Sequence, residues 1–213
     1  MSVRQSLLAI LDQGPCYGYQ LRAEFDRRTG STWPLNVGQI YNTLERLERD
    51  GLVAKGDVDE QGHVYYRITD AGSAEVRTWL GTPVARAAGT RDELPIKLAL
   101  AATLPGVDVG EIVQTQRRAS LAALDQLRQA ATSSSDADSS GADSSDADGE
   151  ALAGQLVADA AIFRAEAEVR WLDHVEATLR TRAAHTRELE LNADRPRRGR
   201  PPRAPLTADL VAG

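Results

Sequence analysis

Gln39, Asn42, Thr43 and Arg46 recur at three- and four-residue intervals in a run whose other positions, Val37, Ile40, Leu44 and Leu47, are apolar. On a helix this spacing sets the polar side chains on one strip opposite a core face. Amide side chains pair bidentately with adenine and guanidinium groups with guanine, so these types suit the reading of base edges in a major groove. Asn36, Tyr41, Arg49, Lys55, His63 and Arg67 are placed to flank such a strip. Contacts from them to phosphate would position the chain without specifying sequence. The plain alternative is a solvated helix face, and the order of elements around the strip decides between the two.

Other chemistry finds little support. There is no nucleophile elbow, phosphate loop, dinucleotide fingerprint or paired-carboxylate spacing. An enzyme is not expected, nor a cofactor. His63, His174 and His185 are far apart in sequence, and a metal site is not expected from them. The single Cys16 excludes an intramolecular disulfide. With no resolving thiol and no adjacent Lys or Arg, it reads as an inert thiol rather than a redox sensor.

Across 213 residues no apolar stretch approaches the ~20 needed to span a bilayer. No signal peptide is read at the N-terminus, and a cytoplasmic location with no membrane partner is expected. The net charge of -6 argues against a nucleic-acid partner only until it is divided. Residues 133–150 hold six acidic residues and no basic one, whereas residues 192–213 hold five Arg against two Asp. Charge is segregated, so each segment is judged separately.

The elements that must hold the polar strip are set by periodicity. Leu7, Leu8 and Leu11 predict a first helix, stopped by Gly14-Pro15. Tyr19, Leu21, Ala23 and Phe25 predict a second. Asn36 with Gln39 has the form of a capping box opening a third, which Gly51 ends. Residues 52–54 and 64–69 read as two strands of a hairpin, and Thr69 or Asp70 caps a fourth helix. Three helices, a hairpin and a helix define a winged helix-turn-helix over residues 1–82. The fold class is mainly α with a small β-hairpin wing. A C-terminal helical domain over 91–191 is expected, with helices at 92–104, 109–131 and about 150–191. The last carries Phe163, Leu172, Val175, Leu179 and Leu189 roughly in heptad register, an antiparallel or coiled-coil-like arrangement suited to a partner. The Ser/Asp-rich stretch 133–149 is expected to interrupt it as a disordered acidic loop, and 192–213 to form a disordered Pro/Arg tail.

Gly18-Tyr19-Gln20-Leu21, the run Gly38 to Val53 (GQIYNTLERLERDGLV) and Tyr65-Tyr66-Arg67-Ile68-Thr69-Asp70-Ala71-Gly72 together resemble PadR-type transcriptional regulators, in the longer class with an extended C-terminal helical domain. Arg91 to Leu98 (RDELPIKL) is a further echo, where the family's second domain begins. The resemblance covers residues 1–100 specifically and the remainder in architecture. It implies a homodimer held by C-terminal helices, a palindromic double-stranded operator, repression, and in some relatives release by a phenolic or flat hydrophobic effector. Phe163 and Trp171 are the candidate pocket aromatics, interface core being the alternative. The chain departs from the pattern in its acidic stretch and its basic tail. A winged-helix protein-interaction module without base-specific DNA binding is the second reading. It would need exposed apolar residues on the strip, and the sequence places none there.

Within the tail, Arg198-Gly199-Arg200-Pro201 matches the core of an AT-hook, which lays an extended Arg-Gly-Arg into a narrow A·T minor groove. The alternative is a basic tail with non-specific affinity.

Overall fold

The computed structural model describes residues 2–85, 93–138, 145–182 and 188–192. Four helices and a small sheet open the chain: α1 (Ser2–Leu11), β1 (Cys16–Tyr17), α2 (Gly18–Arg28), α3 (Val37–Arg49), β2 (Val53–Val58), β3 (Val64–Ile68) and α4 (Asp70–Gly81). Next come α5 (Glu93–Ala101), α6 (Val109–Asp138) and α7 (Ser145–Arg182). The sheet is antiparallel in the order β1-β3-β2. Its first strand, only two residues long, was not signalled by the sequence; Cys16 pairs with Tyr66 and Tyr17 with Tyr65.

A first core gathers Leu7, Leu8, Leu11, Leu21, Phe25, Ile40, Leu44 and Leu47, the apolar stripes that the sequence assigned to α1–α3. Two glycines set its close approaches. A Cβ at Gly72 would lie 2.3 Å from the Leu52 carbonyl oxygen, so α4 can seat against the start of β2 only without one. At Gly18 a Cβ would lie 2.7 Å from the Tyr41 ring, which brings α2 directly onto α3.

The link between the two predicted domains is tighter than a linker. Helix α5 is buried on nearly all sides, the mark of a helix packed between neighbours. Its Ile96 and Leu100 enter the first core, and its Leu94, Leu98 and Ala101 join Ile112, Val113 and Leu172 in a second. The wholly buried Lys97 lies among them, donating to the Thr82 carbonyl at 2.6 Å.

Helices α6 and α7 run antiparallel, tied by Arg117–Asp173 (2.6 Å) and Arg128–Glu166 (2.8 Å). Both continue into the acidic stretch from which a loop was expected, α6 to Asp138 and α7 from Ser145. Within α6, the Thr132 and Ser133 hydroxyls donate back to the Gln129 carbonyl, which satisfies these polar groups inside the helix. Residues 139–144 of that stretch lie outside the described residues.

The predicted end of the last helix is also corrected. Helix α7 is described as far as Arg182, residues 183–187 lie outside the described residues, and residues 188–192 are an extended strap laid along α2. The buried Arg28 organises it with five donated bonds: to Glu24 Oε2, Gln13 Oε1, the Thr103 carbonyl and hydroxyl, and the Leu189 carbonyl at 2.8 Å. Leu189 N–H donates to the Thr103 carbonyl, and Leu191 packs on the first core. Leu189 therefore belongs to this strap instead of a heptad seam. A buried guanidinium needs every donor met, and the strap supplies part of that satisfaction.

Candidate nucleic-acid interface

Helix α3 begins where its cap dictates. Asn36 Oδ1 accepts from Gln39 N–H at 2.8 Å, and Gln39 Oε1 accepts from Asn36 N–H at 3.1 Å. The reciprocal pair satisfies two of the four donors a helix start leaves open. It also commits the acceptor half of Gln39, so this amide lacks the free oxygen-and-nitrogen edge that bidentate pairing with adenine requires. Thr43 likewise turns its hydroxyl back to the Gln39 carbonyl at 2.7 Å. Asn42 and Arg46, one turn apart and exposed, have no side-chain partner among the described residues. They are the part of the predicted strip that is free for other contacts.

The predicted backbone-contacting residues divide by face. In the β2–β3 register Lys55 lies opposite Tyr66 and Ala54 opposite Arg67. Since successive side chains alternate, Lys55 and Arg67 occupy opposite faces of the hairpin. Lys55 faces α3 and pairs with Glu48 at 2.7 Å, and that carboxylate raises its pKa above the ordinary lysine value. Arg67, on the outer face, pairs with Asp57 at 2.6 Å. Both cations remain half exposed. Arg49 stands free of the surface with Asp50 at 3.7 Å.

His63 and Tyr41 have structural duties the sequence did not disclose. The His63 ring stacks on Tyr17 with centroids 4.5 Å apart, and its Nδ1 lies 3.0 Å from Asp59 Oδ2. The Asp59 carboxyl, held first by the His63 backbone N–H, titrates below its usual range. His63 thus pins the turn end of the wing to β1. Tyr41 fills the space over Gly18.

Of the predicted pocket aromatics, Phe163 is exposed on α7 and Trp171 packs against the second core. Neither lines a groove of about 680 Å³ between residues 83–85, α6 and α7. Its polar floor is Gln116, which holds Val84 by both N–H and carbonyl (2.7 and 3.1 Å), with Ser120 Oγ 2.6 Å from Glu168. Arg198, Gly199, Arg200 and Pro201 lie outside the described residues.

A braced, capped helix with free polar groups beside a β wing defines a winged-helix DNA-binding protein. Comparison with known proteins makes the class specific. The Transcriptional regulator PadR-like family matches residues 7–78, and the Virulence activator alpha C-term family matches residues 90–180. The chain belongs to the PadR-like family of transcriptional regulators, which act by binding DNA and not as enzymes. It is 27% identical over 187 residues to a probable transcriptional regulator of Mycobacterium tuberculosis, covering 84% of this chain and 98% of that one. It is 24% identical over 131 residues to the negative transcriptional regulator PadR of Bacillus subtilis, covering 59% and 71%. Among solved structures, Bacillus subtilis PadR in complex with operator DNA aligns with a TM-score of 0.38 and 22% identity over 84% of this chain and 99% of that one. The Vibrio cholerae virulence activator AphA aligns with a TM-score of 0.34 and 21% identity over the same shares. Among the described residues no helix is long and apolar enough to cross a membrane.

Proposed function

We infer that the protein is a cytoplasmic homodimeric repressor that reads a palindromic operator. Residues 1–82 contact DNA, and the helices of 91–191 hold the dimer. Each protomer sets α3 in one major groove, with half-sites about 34–36 Å apart. The observation that carries this reading is the pair Asn42 and Arg46, polar, exposed and unpartnered among the described residues, on a helix whose start is fixed by a complete capping box. Lys55, Arg67 and Arg49 supply the flanking positive charge. The name of the Bacillus subtilis relative, a negative regulator, supports repression over activation. Exposed Leu152, Leu156, Val157 and Phe163 on α7 support its burial against a second copy.

A small aromatic or hydrophobic effector fits the groove beside residues 83–85. Its volume of about 680 Å³ is that of a small-molecule site. Its wall joins the segment after α4 to α6, so occupation would bear on the link between the two parts of the chain.

In vitro selection from random duplex DNA tests the central reading. A palindromic motif with one-turn spacing is expected. Enrichment of no motif would overturn it and put the protein-interaction module first.

A further inference from the structure

The strap 188–192 has a direction. Leu189 is held by Arg28 at the C-terminal end of α2, Arg27 donates to the Glu190 carbonyl at 2.6 Å, and Asn192 N–H donates to Glu24 Oε1 at 2.8 Å. Gln20 Nε2, in the first turn of α2, then donates to the Asn192 carbonyl at 3.2 Å. The chain therefore runs backward along α2 and reaches, at Asn192, the end where Gly18 packs on Tyr41 of α3. That end adjoins the N-terminal half of α3, the part of a recognition helix that lies closest to bases. A tail attached to a helical dimerisation domain would ordinarily start far from the DNA; this one starts on the DNA-binding unit.

Beyond Asn192 the chain carries five Arg against two Asp, with Arg198-Gly199-Arg200-Pro201 near the middle of the basic run. Five residues separate Asn192 from Arg198, a reach of at most about 20 Å over six Cα steps. We propose that the strap on α2 delivers Arg198-Gly199-Arg200 to an A·T-rich minor groove at a fixed distance from the site read by α3. The chemistry is that of the groove itself. A narrow A·T minor groove concentrates negative potential that two guanidinium groups meet, and glycine between them lets the backbone approach the floor. Arg195, Arg197 and Arg203 contribute phosphate attraction without sequence preference. The inference rests on DNA binding through α3 and adds a second, sequence-biased contact to it.

Selection of the full chain on long, fully randomised duplexes tests both contacts separately. The core motif reports α3, and an A·T block at constant offset from it reports the tail. Arg198→Ala with Arg200→Ala should lower the A·T enrichment about tenfold, the scale of one lost groove contact, while keeping the core motif. Arg195→Ala, Arg197→Ala and Arg203→Ala together should weaken binding to all duplexes and keep the A·T block. A long Gly/Ser insertion after Asn192 should blur the offset. A core motif with no A·T block overturns the proposal and leaves the α3 reading intact. An A·T block whose offset ignores the insertion overturns the role of the strap. Absence of both motifs overturns the two readings together.

Discussion

Gln39 and Asn36 hold each other across the first turn of α3, each side chain accepting from the other's backbone N–H at 3.1 and 2.8 Å. A residue of a type suited to base reading is thereby occupied in starting the helix that does the reading. Gln39→Ala should cost about 0.5–2 kcal/mol of stability, the range for a lost cap partner. It should weaken binding to every duplex alike, because the helix start loosens. Asn42→Ala, with no partner to lose, should leave the denaturation midpoint unchanged and relax preference at one base position by about 1–3 kcal/mol. Urea unfolding and binding to the selected motif against single-base variants separate the two. Equal losses on operator and random DNA for Asn42→Ala would remove it from base reading.

The contact of Gly18 with Tyr41 predicts a coupled pair. A methyl at position 18 would stand 2.7 Å from the ring, and Tyr41 is wedged between α2 and α3. Gly18→Ala should destabilise by roughly 1–3 kcal/mol, as overpacking does. In a Tyr41→Ala background the same change should be neutral or stabilising, since alanine is the better helix former. A double-mutant cycle by denaturant unfolding reads the coupling. Additive effects would show that the helices separate without strain.

How much of this was legible in the sequence depended on whether the signal was local. The apolar stripes of α1–α3 apart from the exposed Ala23, the capping box at Asn36, the cap of α4 at Thr69 out of the two candidates Thr69 and Asp70, and the stop at Gly51 are set within a few residues, and the structure agrees with each. The strap was not legible: Leu189 continues a heptad-like spacing, and only contact with Arg28, 161 residues away in sequence, draws it off the helix. Nor does the sequence mark Arg28 and Glu24, four residues apart on α2, as a pair buried beneath that strap. At the candidate site, residue types pointed correctly to the α3 strip. They could not tell Gln39, spent on the cap, from Asn42, left free. Nor could they place Lys55 and Arg67 on opposite faces, because strand register decides that.

Cys16 should behave as an inert thiol. It is fully buried in β1, and burial, with the charge of Glu24 adding to it, pushes its pKa up to about 12. The thiolate is the reactive form, so at about pH 8.5 iodoacetamide should label the native chain only as fast as it opens. Mass spectrometry of alkylation against urea concentration checks this. Rapid labelling in the absence of denaturant would reinstate a redox role.

Lys97 should leave a signature in the pH dependence of stability. Its ammonium is buried beside the Trp79 ring, 5.8 Å from the centroid, and burial lowers its pKa from 10.5 to about 8 in spite of Glu93 nearby. Below pH 8 both folded and unfolded chains carry the proton. Between pH 8 and 10.5 the unfolded chain holds it more than the folded one, so this group raises stability as pH increases. Cys16 works in the opposite sense. Its folded pKa lies above its ordinary 9.0, so above pH 9 the unfolded chain loses a proton that the folded chain keeps, and stability falls. The two contributions oppose each other above pH 9, leaving pH 8 to 9 as the window in which Lys97 stands out. In urea titrations, Lys97→Met should remove the rise across that window, and Cys16→Ala should extend the rise to higher pH. Identical profiles for the parent and Lys97→Met would mean that the ammonium keeps its proton in the folded chain, held by the Thr82 carbonyl and the Trp79 face.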